Sequence, residues 1–193
     1  MIAATGPTKR CDKDFLLKYH QIVTLSLSIL LIVLLGIFNL TSASAQRTGE
    51  QAEMDRLEQQ ADDLAAQSDP EGAALAVGKA AMMADLLTRK AQEPATQDTF
   101  QAASLLYRAQ ELGLRALALF DRTGGIPPAP SGVCHYLVQS TKKTNTSKDL
   151  LQKSISTSVP EEMTIRRENL LQKNSGWGNF LKELYSDFEC QET

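Results

Sequence analysis

Apolar positions fall into one unbroken run followed by several periodic stretches. The run is Ile22–Phe38, seventeen residues without a charge. Beyond it, Met54, Leu57, Ala61 and Leu64 follow a 3-4-3 spacing, which predicts one stripe of a helix. Thr48 and Gln51 predict a capping box at its start, with side-chain oxygens taking the first-turn amides. Asp55, Glu58, Asp62 and Asp63 lie off the stripe and predict a solvated face. A metal site is disfavoured because no histidine accompanies them. Ser68-Asp69-Pro70-Glu71 ends this helix and starts another, with Asp69 as the cap and Glu71 facing the positive end of the dipole. Gly72, Ala73, Ala76, Val77, Ala80, Ala81, Ala84 and Leu87 follow. Small residues at this spacing let backbones approach, and predict a tight hairpin with the first helix. Met82 and Met83 read as core filler rather than a copper-ligand pair. Pro94 predicts the close of the second helix, and Thr96 the cap of a third. Leu105, Ala109, Leu112, Ala116, Leu119 and Phe120 form its main stripe, widened by Leu106, Leu114 and Leu117. Gly124-Gly125 predicts its stop.

The second half is patterned less regularly. Cys134–Val138 fits either a short strand or the start of a helix. Lys142–Lys148 is polar and predicts a mobile segment, with Ser147 capping a short helix over 148–156. Asn145-Thr146-Ser147 is a glycosylation sequon, meaningful in a eukaryotic host. Pro160-Glu161-Glu162 predicts a helix start, and Met163, Ile165, Leu170 and Leu171 carry it towards Asn174 and Gly176. Trp177, Phe180, Leu181, Leu184, Tyr185 and Phe188 then recur at helical spacing as an aromatic amphipathic face. This is the candidate interaction face. Folded inward it is core; exposed, it would be a docking surface for a partner or a bilayer.

The leading run decides the compartment. Lys9, Arg10, Lys13 and Lys18 precede it, and Ala43-Ser44-Ala45 follows. A basic region, an apolar region and a small-x-small exit form the pattern of a secretory signal peptide, with cleavage expected between Ala45 and Gln46. The alternative is a retained single-pass N-terminal anchor. Seventeen residues fall a little short of the ~20 that span a bilayer. In both cases the remainder lies outside the cytoplasm, in a periplasm or secreted.

Composition refines this picture. Residues 46–193 hold 16 Lys and Arg against 21 Asp and Glu. That mild acidity argues against a nucleic-acid binder, which would show a basic face. Eighteen alanines fall in 46–130 and none in 131–193. The shift predicts an alanine-rich helical domain over 46–123, a Pro/Gly linker over 124–132 and an alanine-free helical appendage over 133–193. Cys134 and Cys190 are the cysteines beyond the leader. An even pair in an oxidising compartment predicts a disulfide.

Phe100, Ser104, Tyr107, Ala116, Phe120 and Pro128 resemble the helix contacts and closing proline of a tetratricopeptide repeat, over about 30 residues. The pattern departs at Ala103 and Thr123. The register upstream would bury Asp69 and Pro70, so there is no second copy, and solenoids need about three. No family is assigned on it.

Catalytic patterns are missing. His135 is the one histidine of residues 46–193, and no nucleophile elbow, CxxC, HExxH or phosphate loop occurs. His135 beside Cys134 supplies two donors where a closed metal site needs four. No catalytic residue, cofactor or metal is therefore expected. The sequence predicts a mainly α protein, a three-helix bundle with a helical appendage. Its expected role is non-catalytic interaction or scaffolding with a protein partner in the cell envelope. The alternative is a membrane-anchored accessory subunit docked through the aromatic helix.

Overall fold

The computed structural model describes residues 49–124, 132–153 and 161–190, and these are almost wholly helical, with no strand among them. Helix α1 covers residues 49–66. It is followed by α2 (Pro70–Lys90), α3 (Pro94–Arg122), α4 (Val133–Lys153) and α5 (Glu161–Asp187). The mainly α class is thus the observed one. The export segment with Ala43, Ala45 and Gln46, the Thr48 cap, and most of the 124–132 stretch lie outside the described residues.

Local signals place the first two helices where their residues predict. Met54, Leu57 and Ala61 are buried. The Asp69 carboxylate accepts a 2.8 Å hydrogen bond from the Gly72 amide, which satisfies one orphan donor of α2. Alanines 73, 74, 76, 80, 81 and 84 then bury a nearly continuous small-residue face.

The third helix starts earlier than its sequence suggests. Pro94 occupies the first turn of α3, and Glu93 stands at the cap with no side-chain bond to a first-turn amide. Thr96 is not the cap; its hydroxyl donates to Glu93 instead. Proline needs no amide partner at a first helical position, so it opens α3 as readily as it closes α2. The far end follows the glycine expectation: α3 stops at Arg122, and Gly124 takes the left-handed φ of 71°.

Helix α3 is the axle of the bundle. It packs along α2 on one side and α4 on the other, and also touches α5. Its burial therefore runs around much of its circumference, through Phe100, Ala102, Ala103, Leu106, Tyr107, Ala109, Gly113, Leu114 and Ala116. Leu105, Leu112 and Leu119 of the expected main stripe are only half-buried.

Helices α4 and α5 correct the sequence reading most. Residues 134–138 are helical, and Lys142–Lys148 forms the middle of α4 rather than a mobile segment. Ser147 caps nothing: it is fully buried in that helix. Helix α5 runs on through Gly176 and Gly178 to Asp187, so the two expected C-terminal segments are one element. Met82 and Ile165 are not core; both side chains are exposed. Residues 48–193 form one compact unit.

Candidate functional site

The candidate face on α5 is turned towards this protein's own helices. Leu181, Leu184 and Phe188 are buried with Ala116, Val133 and Leu137 in one apolar cluster, and Trp177, Phe180 and Tyr185 pack half-buried against it. Phe188 meets Phe120 with ring centroids 4.5 Å apart, and Trp177 meets Phe180 at 5.1 Å. Such tilted pairs suit the quadrupoles of both rings. The chain just past α5 is tied to the first turn of α4 by the Cys134–Cys190 disulfide, with Cα atoms 5.5 Å apart.

Beneath that face lies a seam the sequence did not reveal. Ser140 donates to the Ala109 carbonyl at 2.6 Å and accepts from the Trp177 indole N–H at 3.2 Å. Seven residues on, Ser147 donates to the Ala102 carbonyl at 2.7 Å and accepts from the Asn174 amide at 3.1 Å. Each serine therefore links three helices through one oxygen. This arrangement needs close backbones, which the α3 alanines provide. Thr144, between them, returns its hydroxyl to the Ser140 carbonyl. Hydroxyls alone carry no sequence signal for such partners, because the acceptors are backbone carbonyls of another helix.

The acidic side of α1 is exposed at Asp55, Asp62 and Asp63 as expected, yet two of its carboxylates, Asp55 and Glu58, also anchor α5. Arg166 of α5 donates two 2.9 Å bonds to the Asp55 carboxylate, and Lys173 reaches Glu58. Its guanidinium also stands 6.0 Å from the Phe100 ring centroid. Tyr107 of α3 forms part of the wall of the same groove, which has a volume of about 660 Å³. Burial, reinforced by the Glu58 carboxylate, pushes the Tyr107 phenol far above its ordinary range. It therefore remains protonated and is no base. Burial opposes the Arg166 charge, but the Asp55 pairing outweighs it, so that guanidinium is held more firmly protonated still.

A second polar centre joins α2 to α3. Asp85 accepts from the Ser104 hydroxyl and from Arg108, both at 2.5 Å. Burial alone would raise its carboxyl, yet these two bonds hold it below the ordinary 3.8. A further groove of about 700 Å³ separates α4 from α5 and is bordered by Thr141, Asn174, Lys142 and Lys182. Asn174 Oδ1 and Thr141 Oγ1 are buried there without a partner among the described residues.

His135 is exposed on the first turn of α4, near the Tyr136 ring. Its neighbour Cys134 is consumed by the disulfide, so the two form no donor pair. Among the described residues, no three of His, Cys, Asp and Glu converge as metal ligands. No described helix is long and apolar enough to cross a membrane. No known protein family, curated protein or solved structure matches the chain.

Proposed function

We propose that the chain is an exported helical scaffold, non-catalytic, whose outer helix surfaces meet a protein partner in the cell envelope. The observation that carries this reading is the inward turn of the aromatic helix. Trp177, Phe180 and Tyr185 pack half-buried against the protein's own apolar cluster, and the end of α5 is fastened to α4. An accessory subunit docked through those rings would have to unpack them, exposing the apolar cluster to water. The charged side chains at the seams support the same reading. Arg166, Lys173 and Arg108 each hold a carboxylate of another helix, so they tie elements of the bundle together.

Export is supported by the basic leader, the apolar run and the Ala43-Ser44-Ala45 exit, and a disulfide is at home in an oxidising compartment. The test is the intact mass of the protein from its own cells, with free thiols alkylated before unfolding. The expected product begins at Gln46 and takes up no alkylating agent. A full-length mass with Cys134 and Cys190 both alkylated would overturn the reading and favour an anchored subunit. A photo-crosslinking residue at Phe180 should reach only this chain's own helices; capture of another protein from that position would favour docking through α5.

A further inference from the structure

Among the described residues, Leu75 and Met82 are two of the few large apolar side chains left outside, at 63% and 58% exposure. Both lie on α2, seven residues apart, and so on one side of the helix. The same stripe begins at Glu71, passes Gly78 and Lys79, and continues through Leu86 to Arg89. The opposite side of α2 is its alanine face in the core. A helix this well buried on one side and apolar on the other has two packing surfaces, and the bundle uses one.

We propose that this stripe is the contact of a symmetric dimer, with α2 packed antiparallel on α2 of a second copy of this chain. The order of charges argues for that occupant. Glu71 stands at the start of the stripe and Arg89 at its end, so an antiparallel pair with its two-fold axis near Ala80 sets Glu71 opposite the partner's Arg89 twice. A parallel pair would set like against like. Glu71 is available for this, since its carboxylate is 73% exposed even with Arg122 at 3.8 Å. Met82 falls near the partner's Gly78, over which the Glu111 carboxylate lies, so its flexible thioether has to pack beside that group. Leu75 falls beside the partner's Leu86. Near the axis the two Lys79 ammonium groups approach each other. The Glu111 carboxylate over Gly78 is already paired with Arg115 at 2.6 Å, so the two Lys79 side chains must turn outward into solvent. The inference goes beyond the scaffold reading and does not depend on the compartment.

One helix stripe per copy is a small interface, of the weak and transient class that buries under about 1,200 Å². Sedimentation velocity on the chain as recovered from cells should therefore show dimer at on the order of 100 µM and monomer near about 1 µM. Met82→Glu and Leu75→Glu should each raise the dissociation constant by about tenfold or more, with the helical circular dichroism spectrum unchanged. The deciding measurement is a charge exchange. Glu71→Arg and Arg89→Glu should each weaken the dimer, and the two combined should restore it, because both ends then pair again within identical chains. A monomer throughout, a dimer indifferent to Met82→Glu, or a double variant no stronger than the singles would overturn the proposal. Association through the apolar leader would show that indifference. A different protein as the natural occupant would leave this chain monomeric.

Discussion

The Trp177 indole occupies the space that a side chain at Gly113 would need. A Cβ built on Gly113 would lie 2.5 Å from Trp177 Cζ2 and 3.4 Å from a Leu181 methyl. An indole cannot yield like the end of a flexible chain, so Gly113→Ala must displace the ring and stretch its bond to Ser140. Overpacking of this kind costs about 1–3 kcal/mol. Urea unfolding should show that loss. Because Trp177 is the sole tryptophan, native-state fluorescence should shift to the red; an unshifted spectrum at full stability would refute the packing.

Removing one seam hydroxyl should be felt on three helices. Ser147→Ala takes the donor from the Ala102 carbonyl and one acceptor from Asn174. The expected loss is about 1–2 kcal/mol, as for a buried hydrogen bond broken on one side. Thr146→Ala, one position along and exposed, should cost little. Equal effects of the two changes in denaturant titrations would show that the seam is not where stability resides.

Reducing the disulfide should loosen the end of α5 before anything else. The bridge spans 56 residues of sequence, and a loop of that order contributes roughly 2–4 kcal/mol by restricting the unfolded chain. Cys134→Ser with Cys190→Ser should lower the unfolding midpoint accordingly. Amide exchange should quicken first over 185–190, where Phe188 stacks on Phe120. Uniform acceleration across α2 and α3 would contradict this.

Acid should weaken the α2–α3 contact through Asp85. Its carboxyl is held below its ordinary value by Ser104 and Arg108 despite burial. A depressed folded value means that the ionised group stabilises the fold above the unfolded value, and that this contribution fades as pH falls through the folded one. Asp85→Asn should therefore lower stability at neutral pH and flatten its decline between about pH 5 and pH 2. Asp62 carries the opposite sign: burial raises it, so Asp62→Asn should leave that acid decline in place. Urea midpoints across the range separate the two.

Much of the architecture was legible in short-range pattern. The Met54–Ala61 stripe, the Asp69 cap, the Gly124 stop and the Trp177–Phe188 periodicity each depend on neighbours within a few turns. Cys134 and Cys190 could be paired because the third cysteine, Cys11, falls within the expected leader. What stayed hidden depends on distant partners. Asp55 and Glu58 look solvated until Arg166 and Lys173, over a hundred residues away, close on them. Lys142–Lys148 looks mobile because its lysines face water, while Thr144 and Ser147 on the same turns are buried. The end of alanine at residue 131 looked like a change of structure. On α4, serine does what alanine does on α3: it keeps two backbones close, and adds a hydrogen bond across the gap. Met82 failed for a different reason. Its neighbours are all core residues, and only the direction of the helix places it outside.

The bridge between Cys134 and Cys190 also governs how the protein carries tension. Force applied between the two ends of residues 48–193 crosses directly from one sulfur to the other, so helices α4 and α5 lie on a side branch that bears no strain. Pulled apart, the oxidised chain should reach full extension about 190 Å short of its contour length, at roughly 3.4 Å for each shielded residue. The α1–α3 part would then lengthen under load, breaking the serine bonds to Ala102 and Ala109, while the bonds from Trp177 and Asn174 to those serines stayed slack.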